Sequence, residues 1–368
     1  MLPNSTKKSK VTIRAMLIGV LLIPINCFWH IQMTLVWLMN FPAILTLLFN
    51  VVFILFILVF INQFLKTYIP KFTLQQAELL TIYTMLCIST ALSGYDMMQC
   101  LISLIGSGTW YATVENEWIE LFSHYLPNQL VLKDHTILAP FYEGGTTFYT
   151  IKYIQAWLVP IVCWTIFIII LIWVMLCINV LLRKQWIEHE RCIFPLVQLP
   201  LEVAASPRPP SNLNSFFSSR AMWIGLAVPV VVHALNCLHT FFPYLPSIPL
   251  EIWLNPFLRA KPWQALSPFK VFVVWSVVGF SYLLTLEVSF SLWFFFMLFK
   301  FQCLIGGLLG FRLSKGPGVQ WTGHSFSAAQ EAGACLTFVL LLLWKTRHHL
   351  RQMWTSAFSR PVIPFINT

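Results

Sequence analysis

The sequence predicts an all-α, polytopic integral membrane protein with about eight transmembrane helices, some of them broken. Three observations carry this. Of its 368 residues 58% are hydrophobic and only 10% charged, with a mean hydropathy of +0.75, where a soluble domain has about a quarter of its residues charged. Apolar runs of spanning length recur along the chain, the cleanest from Ile44 to Phe60 without a single charge. The 16 Trp and 32 Phe suit lipid and its interfaces. So few ionised side chains cannot cover a water-exposed surface, which excludes a soluble enzyme, a secreted disulfide scaffold and a disordered regulator.

The spans follow in order. Residues 13–37 form the first, broken or kinked at Pro24. Lys7, Lys8, Lys10 and Arg14 precede it as in a signal peptide, but no small-residue cleavage site follows, so it is read as a retained helix. Residues 42–64 form the second. The third, 75–104, is interrupted by Ser93-Gly94-Tyr95-Asp96, and 106–153 is an outer loop or cap rich in Gly, Trp, Tyr and acids. The fourth, 154–182, leads into a basic, Pro-rich cytoplasmic loop at 183–220. The fifth is 221–242, followed by a Pro-rich stretch, 244–268, that reads as an irregular surface loop. Residues 269–311 hold two spans with a turn near Leu286-Glu287, or one span plus a re-entrant segment. The eighth is 326–344, ahead of a basic tail through Arg351. The whole reads as one transmembrane domain, 1–368.

The net charge of +10 does not point to nucleic acid, because Lys and Arg punctuate the apolar runs instead of forming one stripe. Their bias places both termini on the cytoplasmic side. The nine Cys lie mostly within apolar stretches and form no CxxC pair. His233 and Cys237 share a helix face but lack further ligands at matching spacing, so neither metal nor cofactor is expected.

A carboxylate within a span faces a partner, a cavity or the interface. Asp96 is the first such residue: after Ser93-Gly94 it either lines a broken helix or caps the next one. Glu287 interrupts the charge-free run from Val271 to Phe299, and sits either at an interface turn or inside a long tilted helix. Gln330 and Glu331, among Ser and Ala, mark a polar pocket or a helix start. Asp96, Glu287, Glu331 and Gln330 are the candidates for a substrate or proton pathway. The Gly306/Gly310 spacing beside Gly307 suits close packing of two helices.

The most distinctive segment follows the fourth span: Trp186, Glu190-Arg191, Phe194-Pro195 and Gln198-Leu199-Pro200-Leu201-Glu202. Its prolines are expected to stop regular helix, giving a shaped connector along the inner membrane surface. With Ser291-Leu292-Trp293-Phe294-Phe295 and Gln330-Glu331-Ala332-Gly333-Ala334, it resembles an uncharacterised family of bacterial polytopic membrane proteins over nearly the whole chain. More distantly, the Phe-Pro segment after a span resembles the oligopeptide transporter superfamily. The resemblance implies a bacterial plasma-membrane location. Members of the family tend to be longer, continuing with further spans past Arg351, so this chain reads as a C-terminally truncated member or one half of an assembly.

Three functions are expected in turn. The first is a transporter, proton-coupled through the named carboxylates; the superfamily resemblance implies small peptides or peptide-like metal chelates as its solutes. The second is a membrane-embedded enzyme on lipid-linked substrates, using Trp110, Glu115, Glu117, His124, Asp134 and His135 of the cap. The third is a non-catalytic subunit of a membrane assembly. The expected partners are the lipid bilayer, a small peptide-like solute, and a partner membrane subunit or a second copy of the chain.

Overall fold

The computed structural model describes residues 11–37, 48–147, 149–189, 194–205, 215–267, 269–310 and 325–358. They divide into two compact units, Met1–Leu181 with Phe194–Val228, and Leu182–Ile193 with Pro229–Thr368.

The first unit opens with α1 (Ile13–Ile31), whose N-cap Thr12 accepts the Ala15 amide at 3.3 Å. The helix runs through Pro24 without ending there. The expected break comes later, where the backbone widens into a π-turn at Gln32–Val36. Next are α2 (Phe49–Tyr68) and α3 (Gln76–Leu92), the latter started by a reciprocal capping box between Gln75 and Glu78. At Ser93 the helix stops. Gly94 is extended, a π-turn covers Tyr95–Gln99, and α4 (Cys100–Trp110) completes the interrupted span.

The segment after α4 holds the single-turn α5 (Trp118–Leu121) and α6 (His135–Glu143). It is fastened to its neighbours. The Leu132 amide donates to Ile105 O at 3.0 Å, and Trp164 Nε1 to Leu130 O at 3.0 Å. Trp110 stacks on Tyr142 with ring centroids 5.0 Å apart. The long helix α7 (Ile151–Lys184) runs on into a π-turn at Gln185–His189. Then come α8 (Pro195–Val203), α9 (Ser215–Ser218) and α10 (Arg220–Phe241). The expectation that Pro195 and Pro200 stop helix formation fails. Pro195 occupies the first position of α8, where no amide is needed, and Pro200 lies within it.

Three clusters hold the first unit together. Ala15, Val51, Ile82 and Leu86 join α1, α2 and α3. Leu55, Leu79, Val203 and Ala204 tie α8 to α2 and α3. Ile105, Leu132, Ile137, Leu138 and Trp157 join α4, α6 and α7. Between apolar helices in lipid, such close contact supplies the attraction that the hydrophobic effect supplies in water.

In the second unit, Asn236 of α10 brackets Ile248, donating to its carbonyl at 2.9 Å and accepting its amide at 2.8 Å. The stretch expected to be an irregular loop, 244–268, holds β1 (Glu251–Trp253), which pairs antiparallel with β2 (Lys270–Phe272) at the start of the stretch expected to hold two spans, in the register Glu251↔Phe272. Then come α11 (Trp275–Leu283), α12 (Leu286–Leu308) and α13 (Ser325–Phe358). The turn predicted at Leu286-Glu287 falls at Leu284-Thr285, both extended, which puts Glu287 in the first turn of α12. Lys300, within α12, donates to Leu266 O at 3.0 Å and sits over the Phe269 and Phe296 rings. Gly307 lies against Ala265 of the 3₁₀ turn Trp263–Leu266, and nothing lies within 4 Å of where a Cβ on Gly310 would sit.

Six described helical stretches are long and apolar enough to cross a membrane: Ile13–Val36, Phe49–Tyr68, Gln76–Trp110, Ile151–Glu188, Arg220–Phe241 and Leu286–Leu308. The all-α membrane class holds; of the eight expected spans, six are found among the described residues. The nine residues of α11 span only about 14 Å of a roughly 30 Å hydrocarbon core. The other expected span, 326–344, lies on α13, which is not among the six.

Candidate functional site

Polar side chains collect in the first unit where α1, α2 and the end of α3 meet. α1 and α3 run side by side in the same direction: Arg14 meets Glu78, Asn26 meets Thr90, His30 meets Ser93 and Thr34 meets Gln99. α2 runs opposite, with Asn50 against Asn26 and Thr90, and Asn62 against Leu74. Asn26 lies twelve residues, about 18 Å of helix rise, beyond the Arg14–Glu78 pair, which is past the middle of a roughly 30 Å core.

The seam is dry of charge and dense in hydrogen bonds. Asn26, His30, Asn50 and Thr90 are fully buried, and Thr34 nearly so. Asn26 Nδ2 donates to Thr90 Oγ1 at 2.8 Å, to Ser89 Oγ at 3.0 Å and to Leu86 O at 3.4 Å. Asn50 Nδ2 donates to Asn26 Oδ1 and to Thr90 Oγ1, each at 2.9 Å. His30 Nδ1 lies 2.9 Å from Ser93 Oγ. Gln99 Nε2 reaches from the π-turn to Thr34 Oγ1 and to Ser93 O, each at 3.0 Å.

Three buried atoms of this seam have no hydrogen-bond partner among the described residues: His30 Nε2, Asn50 Oδ1 and Gln99 Oε1. The network makes two of them acceptors. A carbonyl only accepts, so Ser93 O fixes Gln99 Nε2 and leaves Oε1 bare. By the same logic Leu86 O orients Asn26, whose Oδ1 then takes the Asn50 amide and leaves Asn50 Oδ1 bare. His30 Nδ1 shares one proton with Ser93 Oγ, and the ring tautomer decides whether Nε2 offers a lone pair or an N–H. Buried acceptors without donors are rare in folded proteins and costly in hydrocarbon.

At one end of the seam Glu78 is held by Arg14 at 2.8 Å, the Gln75 amide at 2.7 Å and the Thr12 hydroxyl, while Arg14 also donates to Thr73 O at 2.9 Å. The sequence analysis named neither this pair nor the seam. A search for charges passes over neutral amides and hydroxyls. The signal was present in the spacing: Asn26, His30 and Thr34 recur every fourth residue, and Leu86, Ser89, Thr90 and Ser93 line the facing stripe.

The residues singled out by sequence are scattered. Asp96 is the second residue of the π-turn, its side chain outside the described set; Gly94, not Asp96, takes the capping position. Glu287 is exposed on α12, and Gln330 and Glu331 are exposed on α13. Among the described residues, no hydrogen bond or ion pair joins these carboxylates. Glu190 and Arg191 lie outside the described residues, as does the side chain of Pro195; Phe194, Gln198 and Glu202 are exposed along α8.

The cap residues proposed for acid–base chemistry have structural employment or face outward. Asp134 caps α6 through the Thr136 amide and hydroxyl, both at 2.8 Å, and these bonds hold its carboxyl below the usual range. His135 leans on Trp110, and Glu115 and Glu117 are exposed. Among the described residues, no group of three His, Cys, Asp or Glu side chains is placed to hold a metal ion.

No curated protein and no solved structure matches the chain. A family model described as a family of unknown function (DUF6785) matches residues 5–363. That stretch leaves out only a few residues at each end, and the chain belongs to this family.

Proposed function

We propose that this protein is a membrane transporter whose solute path runs along the polar seam of the first unit. The observation behind the reading is the set of three buried polar atoms without partners among the described residues, on His30, Asn50 and Gln99, beside a helix interrupted at Ser93-Gly94. Helices that only needed to pack would be served by Leu and Ala; polar groups kept inside a span mark solute or ion pathways. Broken helices with freed backbone groups are the usual companions of such sites in transporters.

Two amide oxygens without donors, beside the His30 ring, suit a solute that brings N–H groups. Small peptides, or peptide-like metal chelates, fit that description and are the class implied by the distant resemblance to oligopeptide transporters. Asp96, three residues before Gln99, is the carboxylate assigned to proton coupling; Glu287, Glu331 and Gln330, exposed in the second unit, are assigned no part in the path. The membrane is a bacterial plasma membrane, with both termini at its cytoplasmic face.

Purified protein in liposomes tests this by uptake of labelled di- and tripeptides. Wild type is expected to accumulate peptide above empty liposomes. His30→Phe and Gln99→Leu should lower the flux at least about tenfold with little change in unfolding midpoint, whereas Glu287→Gln and Glu331→Gln should retain it. No peptide uptake by wild type removes the substrate class, and full flux in both seam variants removes the path.

A further inference from the structure

The distinctive Phe-Pro segment takes no part in the seam, yet it builds the wall of a second feature. A cavity of about 910 Å³ lies in the first unit where α2 ends, α3 begins and α8 passes. Its size is that of a ligand pocket. Its lining combines polar side chains, among them Gln63, Lys66 and Gln75, with apolar ones, among them Phe60, Leu201 and Trp223. Lys66 is in the last turn of α2, at a membrane boundary. No Asp or Glu lines the cavity, and Lys66 makes no ion pair among the described residues. α8, which contributes Leu201 to the lining, also exposes Leu196, Val197 and Leu201 as an apolar flank.

We propose that this cavity binds an anionic phospholipid, with the phosphate at Lys66 and one acyl chain along Phe60, Leu201 and Trp223. An amphiphile is the ligand that matches a lining of both polar and apolar side chains. A single unpaired cation with no opposing acid selects a negative headgroup, as basic pockets between membrane helices do. The helix that packs on α2 and α3 through Val203 and Ala204 thereby acquires a second role, forming a lipid seat beside its own core contact.

The test is native mass spectrometry of the full chain in detergent, titrated with phosphatidylglycerol, phosphatidylcholine or glycerol phosphate. Phosphatidylglycerol should bind in preference to phosphatidylcholine, and Lys66→Gln should cut that preference about fivefold. Ala205→Leu, which fills the cavity, should weaken both lipids; Ala77→Leu, also in the lining, serves if Ala205→Leu does not fold. Equal binding of the two lipids, no effect of Lys66→Gln, or glycerol phosphate alone displacing phosphatidylglycerol would each overturn the assignment. So would full lipid binding in a folded cavity-filling variant. None of these readings depends on peptide flux, so this site and the transport path fail or stand separately.

Discussion

A buried carboxylate needs donors for its oxygens, and Glu78 has three kinds: a guanidinium, a hydroxyl and a backbone amide. Its partner differs in one respect. Arg14 is 39% exposed whereas Glu78 is 2% exposed, so water can solvate the cation but not the anion. Arg14→Gln strands a charge in the interior and should cost about 3 kcal/mol, near the lower end for breaking a buried pair. Glu78→Gln leaves a half-solvated arginine and should cost about 1–2 kcal/mol. The double variant should be more stable than Arg14→Gln alone. Unfolding midpoints in mild detergent decide this, and Glu78→Gln proving the more harmful single change would refute the asymmetry. Nothing in the local sequence around Arg14 announces Glu78, which is 64 residues away.

At the scale of elements, interruptions and close approaches shape the helices. Pro24 removes one amide from α1 without ending it, while Ser93-Gly94 stops α3 outright. The second was legible because a serine and a glycine before Tyr95-Asp96 break the apolar run; at Pro24 the helix continues, since one missing amide costs α1 a single hydrogen bond. Two glycines give a matched comparison. A Cβ on Gly106 would lie 2.3 Å from Leu138 Cδ2, a side chain with no exposed surface. A Cβ on Gly19 would lie 2.6 Å from Met85 Sδ, near the end of a flexible chain that can swing aside. Gly106→Ala should therefore cost about 1–3 kcal/mol from overpacking. Gly19→Ala should be near neutral, its strain offset by the roughly 1 kcal/mol that Ala gains over Gly in a helix. Limited proteolysis of the 111–150 segment, which α6 and Leu138 anchor to α4, reads the first effect directly. Equal protection in both variants would show that Leu138 moves freely.

For the whole molecule, the surfaces left uncovered are as informative as the cores. α10 buries no residue and α12 buries only Cys303, while their Val, Leu, Phe and Trp side chains lie open. In water such surfaces would aggregate; against lipid they are the ordinary outer face of a span. Six crossings return the chain to the side where it starts. Of the 23 Lys and Arg, only Lys133, Lys152, Arg259, Lys261 and Lys270 would then lie opposite the termini, with Lys300 inside a span. Epitope tags at both termini should react only after cells are permeabilised, and a tag between Pro127 and Asn128 should react on intact cells. A C-terminal tag reactive on intact cells would make α13 a further crossing.

By itself the sequence determined the solvent and the backbone: so little charge and such long apolar runs require lipid, and lipid requires helices that satisfy their own amides. It also placed the interruption at Ser93-Gly94, because that signal is local. Only the tertiary structure decided that α11 is too short to span, that Pro195 and Pro200 lie within a helix, and that neutral Asn26, His30, Asn50 and Gln99 form the polar interior. A missing hydrogen-bond donor and an enclosed volume are relations between side chains far apart in the chain. Composition and spacing along one helix do not contain them until three helices stand side by side.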